Sequence, residues 1–155
     1  MMKVKVKAVA ALFVLAATTA GAQPARPVIE HFPAAPINAT TPAPFSTAVR
    51  VGDTVYLSGA IGRRPDGTLP QGFEAQAKQT MDNVGAALKT AGVGWGDVFK
   101  CTVMIDDMAD WPTFNKIYVP YFPAGKLPAR SAFDADGLAL GALIELECLA
   151  YAGPK

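Results

Sequence analysis

The chain has 155 residues, 51% of them hydrophobic and 17% charged, with a formal net charge of +1. That length supports one domain with a buried core, and the near-neutral charge gives no electrostatic basis for gripping a phosphate backbone. With only two cysteines and one histidine, His31, no ligand-spaced metal cluster can be assembled.

The first residues, MMKVKVKAVAALFVLAATTAGAQP, set three lysines before an apolar run from Ala8 to Ala17 and small residues ending Ala20-Gly21-Ala22. This is the layout of a secretory signal peptide, with cleavage expected after Ala22. A membrane helix needs about 20 apolar residues, so an uncleaved anchor is the weaker alternative. The expectation is an exported chain, periplasmic or secreted, with no stable membrane association after cleavage. Removing residues 1–22 takes away three lysines and no acid, so the 14 basic and 13 acidic residues become 11 and 13 and the charge becomes −2. Residues 23–44 are rich in Pro and Ala and read as a leader, with one short extended piece at Val28-Ile29.

A single domain is expected over 45–155. In FSTAVRVGDTVYLSGAIG, Val49 and Val51, then Val55 and Leu57, alternate with polar residues across Gly52-Asp53, which predicts a hairpin. RRPDGTLPQG is a loop with a Pro-Asp-Gly turn. From Phe73 the period changes: Phe73, Ala77, Met81, Val84, Leu88 and Ala91 recur every three or four residues, one face of a helix that Gly92 ends. DVFKCTVMI is a strand. Asp110 is placed to cap a second helix, with Pro112 in its first turn and Trp111, Phe114, Tyr118 and Tyr121 on one face. Trp111, Phe114 and Tyr118 are expected to be core and not a stacking platform. ARSAFDA and LIELECLAYA are the closing strands. Cys101 and Cys148 fall in strands, where they are either two buried thiols or a disulfide, depending on register.

The predicted order is β-β-α-β-α-β-β, an α+β sandwich with both helices on one face of a mixed sheet. In the last strand, period two places Ile144, Leu146, Cys148 and Ala150 on one side. Leu143, Glu145, Glu147, Leu149 and Tyr151 fall on the other. That second side is too apolar for water and no helix is left to cover it, so a symmetric oligomer is expected. Arg130 and Glu145 are charged residues inside apolar segments, which requires a partner or a task. A structural ion pair between them is one reading.

VYLSG (55–59), FEAQAKQTMDNVGAALKTAG (73–92), LPARSAF (127–133) and GALIELECLA (141–150) occur in this order at suitable distances. Together they resemble the Rid family, the YjgF-type reactive-intermediate deaminases, from about Val28 to Ala150. The resemblance implies a chorismate-mutase-like fold, a homotrimer with active sites between subunits, and no cofactor. It implies hydrolysis of 2-imino or enamine acids to 2-oxo acids and ammonia, the partner being a small-molecule 2-imino acid or related carboxylate. It places the carboxylate-binding arginine at Arg130 of PARS and the water-positioning glutamate at Glu145. Ser58, Gly59 and Asn115 match positions lining the pocket. Phe45 stands where the family usually has tyrosine, and Ala132 where it often has cysteine. Glu147 is expected to be a solvated or inter-subunit carboxylate. The alternative functions are a non-catalytic trimer that binds small carboxylates or acts as a chaperone, and, against the acidic charge, an endoribonuclease. Ser58 has no histidine partner for a Ser-His-Asp hydrolase.

Overall fold

The hairpin lies where the alternation puts it. Strands β2 (Ser46–Val51) and β3 (Thr54–Leu57) pair antiparallel, with Val51 opposite Thr54. Gly52 turns the chain at φ 58, a left-handed conformation that is cheap only without a Cβ. The computed structural model describes residues 26–36 and 40–154, so the expected signal segment, 1–22, lies outside the described residues.

Five more strands complete one mixed sheet. They are β1 (Ile29–Pro33), β4 (Ala60–Ile61), β5 (Val98–Ile105), β6 (Ala129–Asp134) and β7 (Ile144–Tyr151), in the order β1-β2-β3-β7-β5-β6 with β4 also pairing β7. Neighbours run antiparallel except β5 and β6, which are parallel. The predicted order therefore gains two strands. β1 lies in the Pro/Ala-rich leader and is held by backbone pairing to β2, since only Phe32 among its side chains is even partly buried. β4 has two residues, too few for any period to register.

Helix α1 (Phe73–Thr90) buries Phe73, Ala77, Met81, Val84 and Leu88 as its spacing requires, and Gly92 follows it at φ 74. It packs on the face of β7 made by Ile144, Leu146, Cys148 and Ala150, all buried. On β5, the core side chains Cys101, Val103 and Ile105 point the same way. Helix α2 (Trp111–Tyr118) packs beside α1 and makes the crossover that parallel β5 and β6 require.

Two expectations for α2 are corrected. Asp110 makes no side-chain cap; Asp107 accepts from the Ala109 N–H instead, at 2.8 Å, closing a single 3-10 turn that runs into the helix. Tyr121 lies past the end of α2, in a 3-10 turn at Val119–Tyr121. Its ring meets Trp95, and its hydroxyl donates to Asp82 Oδ1 at 3.0 Å. The pair left open in the sequence is resolved: Cys101 and Cys148 are direct cross-strand partners and form a disulfide.

Candidate functional site

Arg130 sits on β6 opposite Cys101, so its side chain lies on the helix-covered face of the sheet. Its guanidinium carbon stands 4.3 Å from the Trp111 ring centroid and 4.6 Å from that of Tyr118. Both rings come from α2, so one helical face lays down a platform on which the planar cation stacks. The expectation that these aromatics serve only as core is corrected here. Phe114 and Tyr118 are buried, yet Tyr118 also presents its ring to the arginine.

Asn115, between them on α2, accepts a 2.7 Å hydrogen bond from Arg130 Nη2. Among the described residues, the opposite arm, Nη1, and the buried Tyr118 hydroxyl have no hydrogen-bond partner. Burial pulls the Arg130 pKa down from its ordinary value, a shift Tyr118 opposes. The same burial pushes the Tyr118 hydroxyl up to about 12, opposed by the cation. Arg130 and Ala132 help line a cleft of about 260 Å³, walled by Trp111, Tyr118 and Leu127.

Glu145 occupies the other face. It is opposite Met104 of β5 and Ile61 of β4, and the residues on either side of it in the strand, Ile144 and Leu146, point to the core. It lines a separate cleft of about 660 Å³ with Phe45, Ser58, Gly59 and Ile61. A β-carbon at Gly59 would overlap the Glu145 carboxylate, so any larger residue there would displace that side chain from its place against the backbone. Ser58 donates to the Ser46 carbonyl at 2.7 Å, which fixes the wall of the cleft to β2. Burial, and next the like charge of Glu147, raise the Glu145 pKa above its ordinary value.

Two further residues of α1 frame this cleft, and neither stands out in the sequence. Asn83 Nδ2 donates to the carbonyls of Ile61 and Arg63, both at 2.8 Å. Buried Gln76 accepts from the Leu143 N–H at 2.9 Å and donates to the Pro70 carbonyl at 3.1 Å. A buried amide such as Gln76 needs partners, and together with the partly buried Asn83 it ties the loop after β4 and the entry to β7 to one helix. The sequence signal was an amide, Gln76, set beside Ala77 at the edge of an apolar face.

The seven residues singled out in the sequence therefore fall into two groups. Phe45, Ser58, Gly59 and Glu145 share one cleft. Arg130 and Ala132 share another, with Asn115 bonded to the arginine. Arg130 and Glu145 make no ion pair with each other, so the structural-pair reading does not hold within the chain. Among the described residues, no three His, Cys, Asp or Glu side chains gather as a metal site would need.

The α+β sandwich with a mixed sheet and two helices is the class of fold that comparison with known proteins gives for the chain. The model for the family described as Endoribonuclease L-PSP matches residues 36–152, and the chain belongs to that family, the YjgF/RidA proteins. It is 42% identical over 113 residues to a Mus musculus protein named 2-iminobutanoate/2-iminopropanoate deaminase, covering 72% of this chain and 83% of that one. Its fold resembles that of RidA from the Antarctic bacterium Psychrobacter sp., with 36% identity and a TM-score of 0.68 over 76% of this chain and 93% of the other. It also resembles E. coli TdcF with bound serine, at 28% identity and a TM-score of 0.71 over 80% and 100% of the two chains.

Proposed function

We propose that the chain hydrolyses 2-imino acids to 2-oxo acids and ammonia at a site assembled between copies of itself. The observation behind this reading is the division into two half-sites, an arginine fork on one face of the sheet and a desolvated carboxylate on the other. Each half lacks what the reaction needs from the other. Joining them requires a second copy, and we take the assembly to be a homotrimer. Relatives named as imine deaminases support the chemistry. The serine bound by a structural neighbour supports a small amino-acid-like carboxylate as ligand. The acidic charge of the chain from Gln23 onward speaks against RNA as substrate.

In this mechanism the guanidinium of Arg130 holds the substrate carboxylate through paired N–H donors, while the aromatic rings beneath it and Asn115 beside it fix the plane of the fork. Glu145, ionised, accepts a hydrogen bond from water and turns its oxygen toward the imine carbon. A C–O bond forms as one water O–H bond breaks; the C=N π pair moves to nitrogen, which takes up that proton by way of the Glu145 carboxylate. In the resulting carbinolamine the hydroxyl proton passes to the amine, the C–N bond breaks with its electron pair leaving on ammonia, and the O–H pair closes the C=O bond of the 2-oxo acid. We further propose that the enzyme is exported. The signal-peptide layout of residues 1–22 supports this, and the Cys101–Cys148 disulfide fits an oxidising compartment.

The test is a coupled assay in which a dehydratase generates 2-iminobutanoate and release of 2-oxobutanoate is followed above the spontaneous rate. Arg130→Ala removes two charge-assisted hydrogen bonds of about 1.5–3 kcal/mol each, so kcat/KM should fall roughly 10²-fold or more. Arg130→Lys should stay poor because an ammonium lacks the planar fork. Glu145→Gln should depress kcat more than binding. Wild-type protein with no activity above background would overturn the reading.

A further inference from the structure

The cleft around Glu145 holds more apolar surface than water-directing chemistry requires. Phe45 is 56% exposed at its rim and Leu140 is 71% exposed, with Ile61 and Ala139 beside them. Leu140 is also the one non-glycine residue with positive φ among the described residues, at 59°, in the turn that leads to β7. A bulky side chain is rarely held in this conformation, and such outliers gather at ligand sites. The turn is well anchored. The Gly141 and Ala142 N–H groups bond back to the Leu138 and Ala139 carbonyls at 3.1 Å, and Leu143 is held by Gln76.

The exposed side chains of Phe45 and Leu140 face one cleft, where an apolar ligand group would be taken out of water. The charged groups on the cleft are Glu145, already assigned to water, and Arg63, whose Nε donates to the Gly67 carbonyl of its own loop at 3.3 Å. We propose that Phe45, Ile61 and Leu140 form the subsite for the substrate's side chain. The subsite selects 2-imino acids bearing a branched aliphatic or aromatic group over those bearing a methyl or ethyl group. The inference rests on the imine-hydrolase reading and adds the substrate class to it. Apolar pockets discriminate by tens to hundreds of fold per methylene group when fit is good, so a difference of three or more carbons is readable.

The experiment generates imino acids in situ with an amino-acid oxidase acting on alanine, 2-aminobutyrate, leucine, phenylalanine or glutamate, and compares kcat/KM for their hydrolysis. The leucine- and phenylalanine-derived imines should exceed the alanine-derived one by at least about tenfold. Leu140→Gly, in which glycine accepts the same φ, should reduce that ratio by about tenfold. Leu140→Asn, another residue tolerated in the left-handed region, should do the same if the glycine variant proves unstable. Preference for the alanine-derived imine overturns the subsite. So does preference for the glutamate-derived imine, which would make Arg63 the reader of the side chain, and so does a ratio unchanged in both variants. Absence of hydrolysis with every imine overturns the hydrolase reading itself, a result distinct from a wrong order of preference.

Discussion

Glu145 and Glu147 share the outer face of β7, two positions apart, and only the first is assigned to chemistry. The Glu145 carboxyl is held above its ordinary range first by burial and next by the charge of Glu147. Water positioning needs the ionised form, so kcat/KM should rise with pH along a limb set by this raised value. Replacing Glu147 with glutamine removes the smaller cause and leaves burial in place. The limb should then move to lower pH without reaching that of an ordinary glutamate. A pH profile of Glu147→Gln whose acidic limb stays put, or moves up, would separate Glu145 from the rate. At this scale the sequence marks Arg130 and Glu145 as charges needing a partner or a task, because charge inside an apolar run is costly; the roles given to them come from the resemblance carried by PARS and E-x-E. Phe114 and Tyr118 are core as expected, with Trp111 packed against them, but the cation that the rings of Trp111 and Tyr118 also carry comes from another element, which no local spacing encodes. Gln76 and Asn83 were not seen, since their partners are backbone atoms whose proximity no spacing encodes.

Elements with a buried face were read almost to the residue, and those without one were not. The span of α1 follows from its apolar spacing, and the two faces of β7 follow from period two. β1 and β4 escape because pairing of backbone groups, and not burial, holds them. Register between β5 and β7 is also absent from any local pattern, so the sequence alone leaves the cysteine pair open. β5 lies between β6, which carries Arg130, and β7, which carries Glu145, so the bridge at Cys101 and Cys148 fixes the frame that separates the half-sites. Closing a sequence separation of 47 restricts the unfolded chain by up to about 4 kcal/mol in the loop-entropy account, with about 2–4 typical. Reduced protein should therefore unfold at a clearly lower urea midpoint than oxidised protein, and equal midpoints would remove the bridge from the stability argument. An intact mass of the exported chain examines the bridge and the leader together. The expected species starts at Gln23 and lacks two hydrogens relative to free thiols. A mass that includes residues 1–22 would count against export by cleavage.

The helices cover one side of the sheet, while the other presents Tyr56, Phe133 and Tyr151, each nearly half exposed, together with Leu149 opposite Tyr56. Apolar surface of this extent on a small domain is normally covered by another chain. Self-association through this face, or beside it, is also the way a clefted arginine and a clefted glutamate on opposite faces can come to share one substrate. If they do so in a closed ring, each site takes its fork from one copy and its carboxylate from the next. This has a consequence that no single-chain site shares. Arg130→Ala protein and Glu145→Gln protein, each inactive alone, should regain activity when denatured together and refolded as a mixture. Random assembly in equal amounts places an intact arginine beside an intact glutamate in about one site in four, whatever the ring size. Recovery near a quarter of the wild-type rate is therefore expected, with light scattering giving the stoichiometry of the same sample. Mixtures that form mixed oligomers yet remain inactive would place both residues in a site within one chain, or remove one of them from it, and the division into half-sites would lose its functional meaning.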